Sequence, residues 1–216
     1  MKVEDQRSLI QKSLKIATDI FKECQSQYRV VGSVLIVALT DQVFRKIGDL
    51  DLLLDKRSFH CVLQHLKDLG FTIYHKRLLV FPWIEAKKDG HLGFTFLLVG
   101  EFTPSGFVYR IGKWIELRVR TDYISPTEYT FEGVRFHGLP VSSVASGIHQ
   151  AFLNPKRQLD KQMVQPYLKS KVSPYGQIYI HLFGIPIPYL YDFYSFSYNL
   201  LGAGRVLLGK KYEFWE

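Results

Sequence analysis

The chain is short of cysteine, of long apolar runs and of acidic charge, and each shortage excludes something. Only Cys24 and Cys61 are cysteines among 216 residues, and they match no metal-type or redox-type spacing. The sequence therefore predicts free thiols in a reducing compartment and no disulfide. No apolar stretch reaches the roughly 18 residues of a membrane-spanning helix, and the opening MKVEDQRSL is charged and lacks the apolar core of a secretory leader. The expected location is cytoplasmic. No internal repeat occurs. Acidic residues number 20 against 28 lysines and arginines, giving a formal charge of +8 and a pI near 9.4, which favours an anionic partner such as a nucleotide or nucleic acid.

What is present is the material of a folded core: 47% of residues are hydrophobic and 15% aromatic, enough for one sizeable core and a small appendage. Ile10, Leu14, Ala17, Phe21 and Cys24 recur at helical spacing between Ser8 and Gln27. A short strand is expected over Tyr28–Val31, then a turn at Gly32-Ser33 with Ser33 capping a helix to Leu39. Asp49–Leu54 reads as a buried strand, and Ser58 as the cap of a helix that Gly70 ends. Five strand-like runs follow, Phe71–Tyr74, Leu78–Ala86, Phe94–Val99, Phe107–Ile111 and Trp114–Arg120, separated in part by KKDG and TPSG turns and expected to pair antiparallel. After Pro140, helices are expected over Ser142–Leu153 and Pro155–Tyr167, then an aromatic-rich tail. Its segment GIPIPYLYDFYSFSYNLLGAGRVLLG is too interrupted by proline and glycine to span a membrane, and reads as a helical piece completing the core or as a partner-binding surface. The expected division is a core over residues 1–140 and a C-terminal segment over 141–216 packing on it.

The chemistry concentrates in VVGSVLIVALTDQVFRKIGDLDLLLD, residues 30–55. Residues i and i+2 of a strand share a face, so Asp49 and Asp51 project together while Leu50 points into the core. Two carboxylates that close disfavour each other's ionisation unless a cation offsets them, and a hard divalent ion such as Mg²⁺ is the usual oxygen-ligated partner. Gly32 and Ser33 supply the complement: a helix start directs free N–H groups and a partial positive charge outward, and the absent side chain at Gly32 admits a phosphate to the backbone. The pattern predicts a triphosphate bridging the two parts.

The string GS, then a helix, then RKIGDLDLLLD resembles the signature of the DNA polymerase β-like nucleotidyltransferase superfamily, and most of all its small abortive-infection and toxin-type members. The strong part covers Tyr28–Asp55; Arg45, four residues before Asp49, keeps the spacing of an arginine found there in those relatives. A later stretch, LPVSSVASGIHQAFLNPKRQLDKQ, is similar to their basic helical segment, with His149 about where relatives carry a nucleotide-contacting lysine, and with Lys156, Arg157 and Lys161 near Asp160 as phosphate contacts. The resemblance implies an α+β fold with a mixed β-sheet flanked by helices and a C-terminal helical, aromatic-rich segment. It implies Mg²⁺ or Mn²⁺ on Asp49 and Asp51, a nucleoside triphosphate on Gly32, Ser33, Arg45, Lys156 and Arg157, and transfer of a nucleoside monophosphate to RNA (a transfer RNA end), to a protein or to a small molecule. Toxin-type relatives also imply a cognate antitoxin, for which the aromatic tail is a docking candidate.

Family members usually carry a third carboxylate as general base. Glu116 in WIELRVR is the first candidate, because alternation sets it opposite Ile115, Leu117 and Val119; Glu101 is the second. None of the histidines forms a ligand set in the sequence, and His60 and His65, five apart, would share a helix face badly. A competing reading is a non-catalytic module that keeps the fold and binds nucleic acid or a partner protein.

Overall fold

The computed structural model describes residues 3–78, 81–103, 106–111, 113–150, 153–167 and 178–210. Two compact units emerge. The first comprises Met1–Thr103 and Ser125–Leu139, the second Pro104–Ile124 and Pro140–Glu216. The second unit thus takes in a segment ahead of residue 141 as well as the C-terminal region.

In the first unit, α1 (Val3–Glu23) leads into β1 (Tyr28–Val31), α2 (Gly32–Thr40), β2 (Asp49–Asp55) and α3 (Phe59–Asp68). Then come β3 (Thr72–Leu78), β4 (Phe81–Lys87), β5 (Gly93–Val99) and a short β6 (Glu101–Thr103). Between the two parts of the second unit, β9 (Thr127–Phe131) and β10 (Val134–Gly138) form a further hairpin. The seven-stranded sheet has the order β3-β4-β5-β2-β1-β10-β9. It is mixed as expected, but the strands after Gly70 do not simply add antiparallel neighbours. β5 inserts beside β2 in parallel, and the β9–β10 hairpin, which sequence reasoning passed over, adds β10 in parallel to β1.

Burial explains these choices. On α1, Ile10, Leu14, Ala17 and Phe21 are all buried at the predicted spacing. Val34, Leu35, Ile36 and Val37 of α2 are also buried, so that helix is apolar around much of its circumference and has little use for an amphipathic stripe. Leu50, Leu52 and Leu54 are all nearly inaccessible while Asp49 is exposed and Asp51 half-buried, which is the alternation of a strand with one face turned to a site. Gly70, with φ +81°, closes α3: its N–H donates to Lys67 and the next N–H, of Phe71, to Leu66.

Three expectations need correction. Ser33 is not a helix cap: α2 begins at Gly32, Val31 holds the cap position with no side-chain cap bond, and the Ser33 hydroxyl is committed elsewhere. Ser58 holds the cap position of α3, but its hydroxyl donates back to the Asp55 carbonyl instead of receiving a helix N–H. Cys24 and Cys61 are joined in a disulfide. The sequence hides this pairing because the two residues are 37 apart, while the packing of α1 against α3 brings the end of one helix beside the first turn of the other.

In the second unit, β7 (Gly106–Ile111), β8 (Ile115–Arg120), β11 (Ile178–Leu182) and β12 (Ile185–Ile187) pair antiparallel in the order β7-β8-β11-β12. The helices are α4 (Thr121–Ile124), α5 (Val141–Gln150), α6 (Pro155–Val164) and α7 (Leu190–Leu207). Much of the aromatic tail is therefore the helix α7, and among the described residues no helix is long and apolar enough to cross a membrane.

Candidate active site

The site is built where β1 ends and α2 begins, against β2. Gly32 takes φ +69°, the left-handed region that favours glycine, and a Cβ there would run into the Asp51 carboxylate oxygen Oδ2. Val31, the preceding residue, pairs directly with Asp51 across β1 and β2. The Gly-Ser turn and the Asp-x-Asp strand are thus one surface. The first turn of α2 has no acidic residue to neutralise its positive end. The hydroxyl of Ser33, almost buried, accepts a hydrogen bond from the Arg45 guanidinium, which also lies over the Phe44 ring. Arg45 is thereby drawn onto the Gly-Ser turn, so that Ser33 and Arg45, twelve residues apart, meet.

Asp49 and Asp51 share one face of β2. Thr95 on β5 donates its hydroxyl to Asp49 Oδ2 at 3.0 Å, and Thr95 is also the residue paired with Asp51 in the sheet. On the far side of β5, Glu85 of β4 pairs with the same Thr95. Asp51, Thr95 and Glu85 therefore form one row across three strands. At about 4.8 Å per strand, Glu85 stands two strands, roughly 10 Å, from Asp51 in the backbone.

Glu85 is the acidic residue that sequence reasoning missed. Its side chain is 19% exposed, and Lys87 Nζ lies 2.7 Å from its Oε2; Trp83 Nε1 donates to its Oε1 at 3.1 Å. Burial pushes the Glu85 carboxyl up, but the hydrogen bonds from Lys87 and Trp83, with the charge of Lys87 behind them, outweigh it and hold it below the ordinary value. Lys87 is raised in return, first by its bond to Glu85, and reaches over the Tyr74 ring at 5.7 Å. Strand alternation places residues 83, 85 and 87 on one face, a signal available in FPWIEAK; what was not readable was that β4 would lie one strand beyond β5 from β2.

A cavity of about 870 Å³ opens over the Thr95 and Glu85 end of this row, lined by Asp49, Thr95, Glu85, Lys87 and Tyr74 among others. It has room for a substrate beside Asp49. Asp49 and Asp51 present hard oxygen donors on one face, next to a turn whose shape only glycine allows. That donor set fits a divalent ion of the Mg²⁺ or Mn²⁺ kind.

The other expected site residues lie in the second unit or outside the described side chains. Glu116 sits on β8 with both carboxylate oxygens engaged, Oε1 by Arg110 at 2.9 Å and Oε2 by Arg118 at 3.0 and 2.8 Å. The hydrogen bonds from Arg118 and then Arg110 hold its carboxyl below the ordinary range. On α6, Arg157 donates to the buried Asp160 at 2.8 Å and Lys161 is half-buried. The side chains of Lys156, His149 and Glu101 lie outside the described residues.

No protein-family model matches the chain, and no curated protein matches its sequence. Solved structures do. The lincosamide antibiotic adenylyltransferase LnuA with bound lincomycin superposes with a TM-score of 0.61 at 16% identity, over 73% of this chain and 97% of that one. The antibiotic-resistance factor ANT(2'')-Ia matches in its solution structure with a TM-score of 0.54 at 14% identity, over 77% and 85%. Its complex with adenylyl-2''-tobramycin matches at 0.53 and 15% identity, over 75% and 88%. The chain has the nucleotidyltransferase fold that its sequence resemblance implied.

Proposed function

We propose that this chain transfers a nucleoside monophosphate from a nucleoside triphosphate to a hydroxyl, releasing pyrophosphate. The observation that carries the reading is the contact of the Gly32 turn with Asp51: the two halves of a triphosphate and metal site abut, and the space between them is kept by the missing Cβ. Asp49 and Asp51 hold Mg²⁺ or Mn²⁺, which when bound offsets the charge of the triphosphate and of the two carboxylates. The N–H groups at the start of α2 and the Ser33–Arg45 pair receive phosphate oxygens.

The acceptor hydroxyl attacks the α-phosphorus, and its proton needs a base. We assign this role to Glu85 in preference to Glu116. Glu85 lines the same cavity as Asp49 and stands in the row of Asp51, its two oxygens held by Trp83 and by a single lysine, whereas Glu116 does not line that cavity and takes three hydrogen bonds from two arginines. The acceptor classes are a small molecule, as acted on by the solved relatives, RNA such as a transfer RNA end, and a protein. A toxin-type role in the cytoplasm, with an antitoxin docked on the aromatic C-terminal segment, belongs to the same reading.

The test is incubation with each labelled nucleoside triphosphate, Mg²⁺ and, in separate arms, hydroxyl-bearing antibiotics, total RNA and total protein. Covalent label on one acceptor class, lost in Asp51→Asn, supports the reading. A second reading, a non-catalytic nucleotidyltransferase-fold module binding nucleic acid or a protein, draws on Thr95: the strand next to the aspartate pair offers a hydroxyl there, not a carboxylate. Nucleotide binding without label in any arm would favour it.

A further inference from the structure

Away from the carboxylate pair, α1 and α3 assemble a second cluster of metal-type side chains. Cys61 and His65 are four residues apart on α3, hence on one face of one turn. Cys24 follows the last residue of α1, and Gln25 after it has φ +50°, which turns the chain away and leaves Cys24 at the helix end. The ligand atoms of Cys24, Cys61 and His65 all lie within 4.8 Å of one another. His65 Nδ1 lies 3.5 Å from Glu23 Oε2, so a carboxylate takes one ring nitrogen and leaves Nε2 for another partner. A disulfide uses two of these four residues and gives no purpose to the histidine–carboxylate pair beside it.

We propose that, when the Cys24–Cys61 disulfide is reduced, these residues bind one zinc ion: two thiolates and His65 as ligands, with Glu23 orienting the imidazole or closing the fourth position. Soft thiolates with an imidazole select zinc over the hard ions suited to Asp49 and Asp51. A carboxylate on the far ring nitrogen is the usual support of a zinc-bound histidine. Zinc–sulfur bonds of about 2.3 Å in a tetrahedron set the sulfurs roughly 3.8 Å apart. The two Cα atoms, 5.8 Å apart, allow this by side-chain rotation. Cys61 is exposed and Cys24 half-buried, so reductant and metal can both reach them.

The balance is explicit. A dithiol or phosphine reductant gives two electrons to the sulfur–sulfur bond, and with two protons from solvent two thiols form while the reductant is oxidised. Zinc then displaces both thiol protons. Oxidation runs the other way: a disulfide oxidant takes two electrons and becomes two thiolates, the sulfur–sulfur bond of Cys24 and Cys61 forms again, and the ion leaves. The disulfide and the zinc site are alternative states of one cluster, independent of the nucleotidyl-transfer reading.

The experiment uses the full chain, reduced with a phosphine without oxygen, freed of reductant and titrated with Co²⁺ as the spectroscopic probe. A thiolate-to-cobalt charge-transfer band in the near ultraviolet cannot come from Asp49 and Asp51. We expect that band at one Co²⁺ per chain, its displacement by one Zn²⁺, and protection of both cysteines from a thiol reagent by zinc. The band should be absent from the oxidised chain and from Cys24→Ser, retained in Asp49→Asn, and shifted to at least tenfold weaker affinity in His65→Gln, whose half-exposed position makes loss of folding a small concern. Reduced chain with a native circular dichroism spectrum and no band overturns the site. So does a band whose affinity His65→Gln leaves unchanged.

Discussion

Gly32 and Asp51 occupy adjoining space: Val31 pairs with Asp51 across β1 and β2, and a methyl group on Gly32 would strike the Asp51 carboxylate. The turn and the acidic strand can approach this closely only because one residue has no side chain and a left-handed φ of +69°. Gly32→Ala should therefore cost more than about 1 kcal/mol of stability, as an alanine forced to positive φ does, and should displace Asp51. Chemical denaturation and calorimetry of the Mg²⁺–nucleotide complex measure the two effects. Unchanged affinity in a folded Gly32→Ala protein would detach the turn from the site.

Asp49→Asn and Asp51→Asn should each abolish metal-dependent nucleotide binding and leave the fold in place. Asp49 is exposed and Asp51 half-buried, and removal of one of two neighbouring negative charges relieves repulsion in the metal-free protein. Thermal unfolding without metal should stay level or rise slightly. Equal Mg²⁺–nucleotide affinity in both variants and the parent would refute the metal assignment.

The core of this site was legible because it is local. Gly32, Ser33, Arg45, Asp49 and Asp51 lie within 20 residues: strand alternation sets the two aspartates on one face, the helix start marks Gly32 and Ser33, and Arg45 was singled out only by the spacing of the resembling family. Glu85 was not legible because its role depends on register: it reaches the row of Asp51 only because β5 enters in parallel beside β2 and β4 pairs outside it. The hairpin of β9 and β10 was missed for a similar reason, since its parallel partner β1 lies about a hundred residues earlier and nothing nearby announces it. The disulfide went unseen because it joins two helix ends that only tertiary packing makes neighbours.

Ser33→Ala separates a cap from a ligand. Since the Ser33 hydroxyl accepts from Arg45 and makes no cap bond, stability should fall by less than the roughly 1 kcal/mol of a lost cap. Triphosphate affinity should fall about tenfold, and a cycle with Arg45→Ala should show coupling of about 1 kcal/mol, as for residues in direct contact. Additive losses would mean that the two act separately.

Glu85 and Lys87 make the sharpest test of the acceptor side. Glu85→Gln should preserve nucleotide binding and slow transfer by about 10²–10⁴-fold, the usual contribution of a positioned base, while Glu116→Gln should leave the rate near that of the parent. The pH dependence follows from the shifts. With its folded value depressed, Glu85 stabilises the protein at any pH above the ordinary carboxylate value of about 4.3, and this is lost as pH falls through the lower folded value. Lys87, raised, contributes below about 10.4 and loses its contribution as pH rises through its folded value. The pair is intact across the neutral range, so the parent should show no acid limb from Glu85 near neutrality. Burial is the largest influence on Glu85 and acts upward. In Lys87→Met it is left opposed mainly by Trp83, so the acid limb of the transfer rate should move to higher pH. A limb that stays in place in Lys87→Met, or an unaltered rate in Glu85→Gln, would remove Glu85 from the reaction and return the role of base to Glu116.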